Sequence, residues 1–355
     1  MTAPAQPDHA ARVAARARVD GLAKPIGALG RLEDLAVWLA GVRGTDAPTP
    51  PAQVAVVIFA GDHGVTGSGQ AVSAYPRQVT AAMVREFLRG GAAVNVLARA
   101  HGAEVRVFDL GVDDDLADTP AQVRQFKVRR GSGAIDREDA LTDAEVTSAL
   151  AAGAAIADEE IDSGADLLVP GDMGIGNTTV SATLVGAALD LEATEVVGRG
   201  TGIDDATWLG KCAVVDAALA RARVHRDDPV SLLRVAGSAD TAAMTAFLSR
   251  AAERGRPVLL DGVVTGACAV LAEQVTPGAA AWWCAGHRST EPAHRRALDA
   301  LGLVPVLDLG MRLGEATGAL TALPVLRSAA LLLAEMSTLI SVTDTAADPT
   351  PMPMP

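Results

Sequence analysis

Seven short runs of β-branched or apolar residues, each stopping at glycine or aspartate, constrain the fold of this chain more than any other feature. Alanine-rich stretches with helical spacing separate most of these runs, which lie at 53–64, 103–112, 166–179, 195–205, 257–266, 280–292 and 304–318. The alternation predicts a doubly wound α/β fold, a mainly parallel sheet with helices on both faces. Ligands of such sheets bind beyond the carboxyl ends of the strands, where the polar and glycine-rich residues of this sequence collect.

The two ends of the chain differ in pattern from its middle. Residues 1–43 show the helical spacing of alanine, leucine and valine, and a proline-rich linker follows at 44–53. We expect the α/β domain over 54–320, a C-terminal helix over 321–343 and a disordered tail over 344–355.

The charge and the cysteines limit the class of protein. A net charge of −13 disfavours nucleic acid and an anionic membrane surface as partners. The three cysteines, Cys212, Cys268 and Cys284, have no CxxC spacing. This spacing argues against a disulfide framework or a zinc site and favours a reducing compartment.

Neither a signal peptide nor a membrane span is expected. The first 25 residues carry polar and charged groups throughout, and the longest apolar stretch, at 328–342, is interrupted by Glu335. We predict that this stretch is a buried helix and that the protein is cytoplasmic.

The stretch GDMGIGNTT at 171–179 predicts a turn between a strand and a helix that can hold a phosphate. Gly174 and Gly176 let backbone N–H groups point inward, and Asn177 begins a run of polar side chains suited to start a helix. The same residues also suit an ordinary capped turn, so the stretch alone leaves both interpretations open. It is not a P-loop, because no GK[ST] follows.

A second glycine-rich stretch, GRGTGIDD at 198–205, follows the fourth apolar run. Lys211 lies in the helix that we predict after it. Two such turns with one lysine indicate a nucleotide phosphate, although Lys211 taken by itself would more often be a surface residue.

Two histidines stand at predicted strand ends, His63 in AGDHGV and His287 in AGHRSTEP. The pair of Asp62 and His63 resembles a fragment of a metal or hydrolase site, but no third ligand has a recognisable spacing. We therefore expect the histidines to shape their loops through hydrogen bonds, with Ser289 available to reach a ligand. We expect neither a metal nor a cofactor.

The run VPVLDLGMRLGEATGA at 304–319 places Arg312 and Glu315 in a glycine-rich turn after a predicted buried strand. A carboxylate in that position is suited to act as a general base or to cap the helix that follows. The turn alone does not decide between these two roles.

These loops, in their order, resemble those of the nicotinate-nucleotide:dimethylbenzimidazole phosphoribosyltransferase family. Each motif alone is weak, but the match as a whole runs from residue 24 to 324. Its motifs are KPIGALGRLEDLA, AGDHGV, VSAYP, PGDMGIGNTT, GRGTGIDD, LLDGVVTGA, GHRSTEP and MRLGEATGA. The resemblance implies a large α/β domain, a small helical domain built from both chain ends, and a homodimer. The implied reaction moves phosphoribose from nicotinate mononucleotide to dimethylbenzimidazole, inverts the anomeric carbon and releases nicotinate, in the synthesis of the lower-ligand nucleotide of cobalamin.

The resemblance also implies roles for individual residues. Glu315 matches the general base, which would accept the ring N–H proton of the base as the other ring nitrogen attacks. The residues at the positions that bind phosphate and ribose are Asp172, Gly174, Gly176, Asn177, Gly200, Lys211 and Ser289. The residues at the positions that bind the base are Ser73, Tyr75, Met311 and Leu313.

Two positions depart from the family pattern. Asp172 stands where the family often has glutamate, and Ala82 stands where it often has glutamine. Both changes bear on how the base or ribose is held. The acceptor stays open between dimethylbenzimidazole, another benzimidazole, a purine and a phenol, since one methyl group in an apolar pocket discriminates by only ~1–3 kcal/mol.

Two other functions stay open at this point. One is a metal-dependent nucleotide hydrolase that uses Asp62 and His63. The other is a nucleotide sensor without catalytic activity on the same fold.

Overall fold

A parallel sheet lies at the centre of the protein. The computed structural model describes residues 4–67, 69 and 71–347. Within them the strands are β1 (Val54–Gly61), β2 (Ala103–Gly111), β3 (Leu167–Met173), β4 (Val258–Leu260) and β5 (Trp283–Ala285). All neighbouring strands are parallel, in the order β2-β1-β3-β4-β5. The predicted α/β fold is confirmed.

Helices make up most of the rest of the described chain. Their bounds are α1 (His9–Gly21), α2 (Arg31–Arg43), α3 (Gln78–Arg89), α4 (Ala93–His101), α5 (Ala121–Arg124), α6 (Asp143–Asp162), α7 (Asn177–Leu189), α8 (Ala193–Val196), α9 (Asp205–Ala222), α10 (Pro229–Ala236), α11 (Ala239–Glu253), α12 (Val263–Val275), α13 (Pro292–Leu301), α14 (Thr317–Glu335) and α15 (Leu339–Ala347). Short 3₁₀ turns span Gly64–Gly67, Arg223–His225 and Ala279–Trp282. α11 packs against α6 and β1, and α12 packs against α7, α13 and β3.

Strands β1 and β3 are buried along their whole length. Their sequences, VAVVIFAG and LLVPGDM, are apolar until the last residues, as expected for central strands of a covered parallel sheet. The three cysteines of the chain are also buried, and none of them forms a disulfide bond.

Pro170 ends the pairing between β3 and β4. The N–H of Leu168 donates to the backbone oxygen of Pro257 at 3.1 Å, and Leu168 pairs with Val258. Residue 170, two positions on, faces the same neighbour, but proline has no N–H to donate. The pairing between the two strands therefore stops before their carboxyl ends, where Asp172 lies.

Two of the seven predicted strands are wrong. Residues 193–196 form α8, whose start is fixed by a reciprocal capping box between Glu192 and Glu195, and the glycine-rich turn follows this helix. Residues 304–316 form no strand beyond one parallel bridge between His287 and Leu307. Val304 is 58% exposed. The run is an extended, partly exposed segment beside β5, where the N–H of Val306 donates to the backbone oxygen of Ala285 at 2.9 Å.

The described chain divides into two compact units. One consists of residues 4–5 and 52–322, and the other of residues 6–51 and 323–347. The second unit contains α1, α2, the later part of α14, and α15. The C-terminal helix predicted over 321–343 is two helices, α14 and α15, and α15 continues to Ala347, into the predicted tail. The rest of that tail lies outside the described residues.

The apolar stretch at 328–342 is only partly buried. By length and composition α14 alone among the described helices is able to cross a membrane, and 56% of its most apolar window is buried inside the protein, as in a core helix. On α15, however, Leu339 and Ile340 are 55% and 72% exposed. The prediction of one buried helix is therefore wrong for its second half, because no other described element covers this face of α15.

Candidate active site

A cavity of about 720 Å³ lies at the carboxyl ends of β1, β3, β4 and β5. This volume is in the range of small-molecule sites, and the position is the one expected for a parallel sheet. Ten of the twelve residues predicted for the site line it, namely Ser73, Tyr75, Asp172, Gly174, Gly176, Asn177, Gly200, Ser289, Leu313 and Glu315. Lys211 and Met311 do not.

The turn after β3 approaches β1 closely. A side chain at Gly174 would place its Cβ 2.1 Å from the backbone oxygen of Gly61. Gly176 has a φ of +98°, and helix α7 begins at the next residue, Asn177. The start of a helix carries partial positive charge and favours anions. This end of the cavity is therefore suited to a phosphate.

Asp62 supports the same turn from outside the cavity. Its carboxylate accepts hydrogen bonds from the hydroxyl of Thr80 at 2.7 Å and from the N–H of Asp113 at 2.8 Å. The hydroxyl oxygen of Thr80 in turn accepts the N–H of Ile175 at 3.1 Å. Asp62 does not line the cavity. Its carboxylate is occupied in positioning the turn, which argues against a hydrolase that uses it.

The turn at Gly200 forms hydrogen bonds with residues from several other parts of the cavity wall and its surroundings. The carboxylate of Glu291 accepts the N–H of Gly200 at 2.8 Å, and the guanidinium of Arg312 donates to the Gly200 carbonyl. The hydroxyl oxygen of Thr201 accepts the N–H of Ala74 at 2.8 Å. Three segments distant in sequence thus meet at this turn. Arg312 also brings a cation to the cavity wall.

Lys211 lies behind the wall of the cavity. It is fully buried on α9, and its ammonium donates to the hydroxyl of Thr178, which lines the cavity, at 2.7 Å. The interpretation as a surface residue is therefore wrong. Burial lowers the pKa of Lys211, and the nearby carboxylate of Glu291 opposes that change.

Glu315 lies in a strained turn on another part of the cavity wall. Its φ is +60°, a left-handed conformation that is uncommon outside glycine, and the side chain is 7% exposed. Burial, with a smaller contribution from the carboxylate of Asp261, raises the pKa of Glu315 to about 7. A carboxylate with this pKa is suited to accept a proton near neutral pH.

Asp172 is a second buried carboxylate on the cavity wall. It accepts a hydrogen bond from the side-chain amide of Asn177. Burial raises the pKa of Asp172 to about 8, and the carboxylates of Asp261, Asp240 and Glu315 contribute to this rise. Asp172 and Glu315 therefore influence each other's protonation.

The two histidines named from the sequence shape their loops by packing and not by hydrogen bonds. Neither ring forms a hydrogen bond with the described residues; His63 lies 3.7 Å from Asp240, and His287 lies 3.5 Å from Asp261. A Cβ on Gly318 would lie 2.0 Å from the ring of His287, so this ring is tightly packed.

Within residues 4–67, 69 and 71–347, no group of three or more His, Cys, Asp or Glu side chains is placed to hold a metal ion.

Comparison with known proteins decides the family. Residues 5–342 match the DBI_PRT family, described as phosphoribosyltransferase. The chain is 56% identical over 345 residues to the nicotinate-nucleotide–dimethylbenzimidazole phosphoribosyltransferase of Mycobacterium avium (strain 104), which covers 97% of this chain and 98% of the relative. It is 57% identical over 332 residues to the protein of the same name from Mycobacterium tuberculosis (strain ATCC 25618 / H37Rv), covering 94% and 91%. The chain belongs to the nicotinate-nucleotide–dimethylbenzimidazole phosphoribosyltransferase family.

The fold agrees with this assignment. The crystal structure of CobT from Thermus thermophilus superposes with a TM-score of 0.88 and 43% sequence identity, covering 94% of this chain and 98% of that one. The resemblance drawn from the motifs is therefore confirmed, and the chain is a phosphoribosyltransferase of this family.

The two departures from the family pattern differ in their relation to the site. Asp172 lines the cavity, so the shorter carboxylate bears on the site directly. Ala82 is exposed on α3, and the next residue, Met83, lines the cavity in its place. Ala82 itself contributes no side chain to the described wall.

The cavity wall also carries apolar side chains, which suit a flat aromatic base. Besides Leu313, its apolar members include Val72, Val79, Met83, Ile175 and Val264. Met311, predicted to bind the base, does not line the cavity, and its carbonyl accepts the N–H of Thr290 at 3.1 Å. Glu291 and Thr201 lie within quoted motifs but were not predicted as site residues, because the local pattern does not show that Glu291 meets Gly200 or that Thr201 meets Ala74.

Asp172→Asn is expected to stabilise the phosphoribosyltransferase above pH 8. A carboxyl whose pKa is raised on folding favours the folded state below its ordinary value of 3.8, and this contribution is lost as the pH rises through about 8. Asparagine keeps an acceptor for Asn177 without the buried charge. The free energy of unfolding in urea should exceed that of wild type by ~1–3 kcal/mol at pH 8.5 and by less at pH 5.5. An equal difference at both pH values would show that Asp172 does not titrate in this range.

Proposed function

We propose that this chain transfers the phosphoribosyl group of nicotinate mononucleotide to dimethylbenzimidazole, giving α-ribazole 5′-phosphate and nicotinate. One observation carries the proposal. A single cavity holds an anion-binding turn at the start of α7 and a buried carboxylate, Glu315, with a pKa of about 7 on another part of its wall. The names of the near-full-length relatives support the same reaction.

The phosphate of the mononucleotide is placed at the α7 turn. There the helix start, the Gly200 turn and the guanidinium of Arg312 face the cavity, with Lys211 behind Thr178. The apolar side chains of the wall, among them Leu313, are left for the base. This arrangement holds both reactants in one orientation, which supplies much of the rate in a transfer between two bound molecules.

The transfer then proceeds with one bond made and one broken. The ring nitrogen of dimethylbenzimidazole that carries a lone pair attacks C1 of the ribose from the face opposite nicotinate. The bond from C1 to the pyridine nitrogen breaks, and its electron pair stays on nicotinate. The other ring nitrogen carries a proton, which passes to the carboxylate of Glu315. Attack from the opposite face inverts the anomeric carbon and gives the α-riboside.

The purified protein should convert nicotinate mononucleotide and 5,6-dimethylbenzimidazole into equal amounts of nicotinate and α-ribazole 5′-phosphate, measured by liquid chromatography. Nicotinate released without the base would indicate the nucleotide hydrolase, especially if a divalent ion restored activity lost in chelator. Binding of the mononucleotide without product would indicate the sensor. Parallel reactions with a purine and a phenol establish the range of acceptors.

We also propose that the protein is a cytoplasmic homodimer. The resemblance to the family supports the dimer, and exposed apolar side chains, including Ile26, Leu339 and Ile340 in the smaller unit, provide apolar surface for self-association. Sedimentation equilibrium should give twice the chain mass of 36.1 kDa. A single-chain mass at micromolar concentration would contradict the proposal.

A further inference from the structure

The carboxylate of Asp261 forms hydrogen bonds with the turn that contains Glu315. It follows β4, is fully buried, and is not part of the cavity wall. One carboxylate oxygen, Oδ2, accepts the N–H of Ala316 at 3.0 Å, and the other, Oδ1, accepts the N–H of Ala319 at 2.9 Å. Asp261 therefore holds the residue directly after Glu315 and the first turn of α14 together.

The turn that it holds is conformationally unusual. Glu315 and Ala316 have φ values of +60° and +67°, and apart from glycines only two other described residues, Leu116 and Asp190, have positive φ. Two successive left-handed residues persist only where the surroundings fix them. The hydrogen bonds that Asp261 accepts from the N–H groups of Ala316 and Ala319 supply such a restraint.

Gly171 of β3 closes the other side of the turn. A Cβ at Gly171 would lie 2.7 Å from the nitrogen of Ala316 and 2.8 Å from the carbonyl carbon of Glu315. The peptide between these two residues thus lies directly against the strand. It meets β3 on one side and Asp261 on another, beyond the point where Pro170 ends the pairing of β3 with β4.

We infer that Asp261 is a positioning residue that holds the Glu315 carboxylate where it can accept the proton of the bound base. This inference rests on the proposed function for its catalytic consequence. The positioning itself is a property of the folded chain and can be measured without substrates.

The charge of Asp261 acts on the same site. The titratable groups that face it are Asp172 on β3, Glu315 before α14, and His287 after β5. Burial raises the pKa of Asp261, and His287 with the backbone N–H groups opposes that rise. Removing this carboxylate should lower the pKa of Glu315, because a neighbouring negative charge is lost.

The test compares Asp261→Asn with a matched control, Asp240→Asn. Asparagine keeps the size and one acceptor oxygen at position 261, but its amide group cannot accept the second N–H. Asp240 is equally buried, on α11, and makes no hydrogen bond to residues 314–319. Amide hydrogen exchange in residues 314–319, followed by mass spectrometry, should become faster in Asp261→Asn and stay at the wild-type rate in Asp240→Asn.

Kinetics then separate positioning from general loss of structure. Asp261→Asn should lower kcat by about 10- to 100-fold, with a much smaller change in KM for nicotinate mononucleotide. The acid limb of its pH profile should move to lower pH. In the Glu315→Gln background the same substitution should have little further effect, because it acts through Glu315.

The following outcomes would overturn the inference: wild-type exchange in residues 314–319 of Asp261→Asn, an unchanged kcat, or an equal loss in the presence and absence of the Glu315 carboxylate. If Asp261→Asn does not fold, amide hydrogen exchange in the wild-type protein is the test of the positioning role. Strong protection of the amides of Ala316 and Ala319 supports the inference, and exchange as fast as in the exposed segment at 309–313 contradicts it. If the wild-type protein forms no product, the proposed function is wrong. The hydrogen-exchange result then still tests whether Asp261 holds the turn at Glu315.

Discussion

Glu315→Gln should lower the turnover number by about 10²- to 10⁴-fold, the usual contribution of a positioned general base. Glutamine keeps the shape and one acceptor oxygen, so the fold and both KM values should change little. What it removes is the ability to take the ring N–H proton. The measurement is steady-state turnover at saturating nicotinate mononucleotide and dimethylbenzimidazole, with circular dichroism to confirm folding.

The pH profile is the control for this prediction. With the pKa of Glu315 raised to about 7, the carboxylate form predominates above that pH, and wild-type kcat should fall as the pH is lowered through 7. This acid limb should disappear in Glu315→Gln. Glu315→Asp should recover only part of the rate, because it keeps a carboxylate but holds it one methylene group farther from the base. A glutamine variant within about threefold of wild type would indicate that Glu315 only orients the turn, and Asp172 would become the next candidate base.

Lys211→Met should weaken the binding of nicotinate mononucleotide by roughly 1.5–3 kcal/mol, about 10- to 150-fold, if the ammonium acts on the phosphate. Methionine keeps much of the buried volume and removes the charge. The Lys211 ammonium lies 2.7 Å from the hydroxyl of Thr178, at the anion end of the cavity. Calorimetric titration with the mononucleotide measures the change, and binding of dimethylbenzimidazole should be nearly unaffected.

Lys127→Met is the matched control for Lys211→Met. Lys127 is paired with the buried Asp109 at 2.7 Å and does not line the cavity. Lys127→Met should lower the free energy of unfolding but leave the affinity for the mononucleotide at the wild-type value. Equal losses of affinity in the two variants, or none in Lys211→Met, would assign Lys211 a structural role alone.

The sequence predicts those parts of the fold that depend on local pattern. Strand β1 is a continuous run of apolar residues, and Gly176 followed by Asn177 marks the start of α7, so both were predictable. The run near 195 was not, because the capping box of Glu192 and Glu195 makes a helix from residues that also suit a strand. The segment at 304–309 is apolar but only partly buried, and apolar character alone does not reveal how far a segment pairs with a neighbouring strand.

Local sequence pattern also fails to predict the long-range contacts of the candidate site. Residues within a motif, such as Asp172, Gly174 and Glu315, were identified together with the family and line one cavity. The contacts that hold those motifs in place join distant positions. Asp261 binds the N–H of Ala316 across 55 residues, and no local pattern records that pairing.

The most direct test of this mechanism is a crystal structure of the protein with dimethylbenzimidazole and nicotinate mononucleotide, using Glu315→Gln to slow the transfer. We predict the phosphate at the turn before α7 and one ring nitrogen within about 2.6–3.2 Å of the side chain at position 315. The second ring nitrogen should face C1 of the ribose on the side opposite nicotinate. A base bound with neither nitrogen near position 315, or a phosphate bound away from the α7 turn, would contradict it.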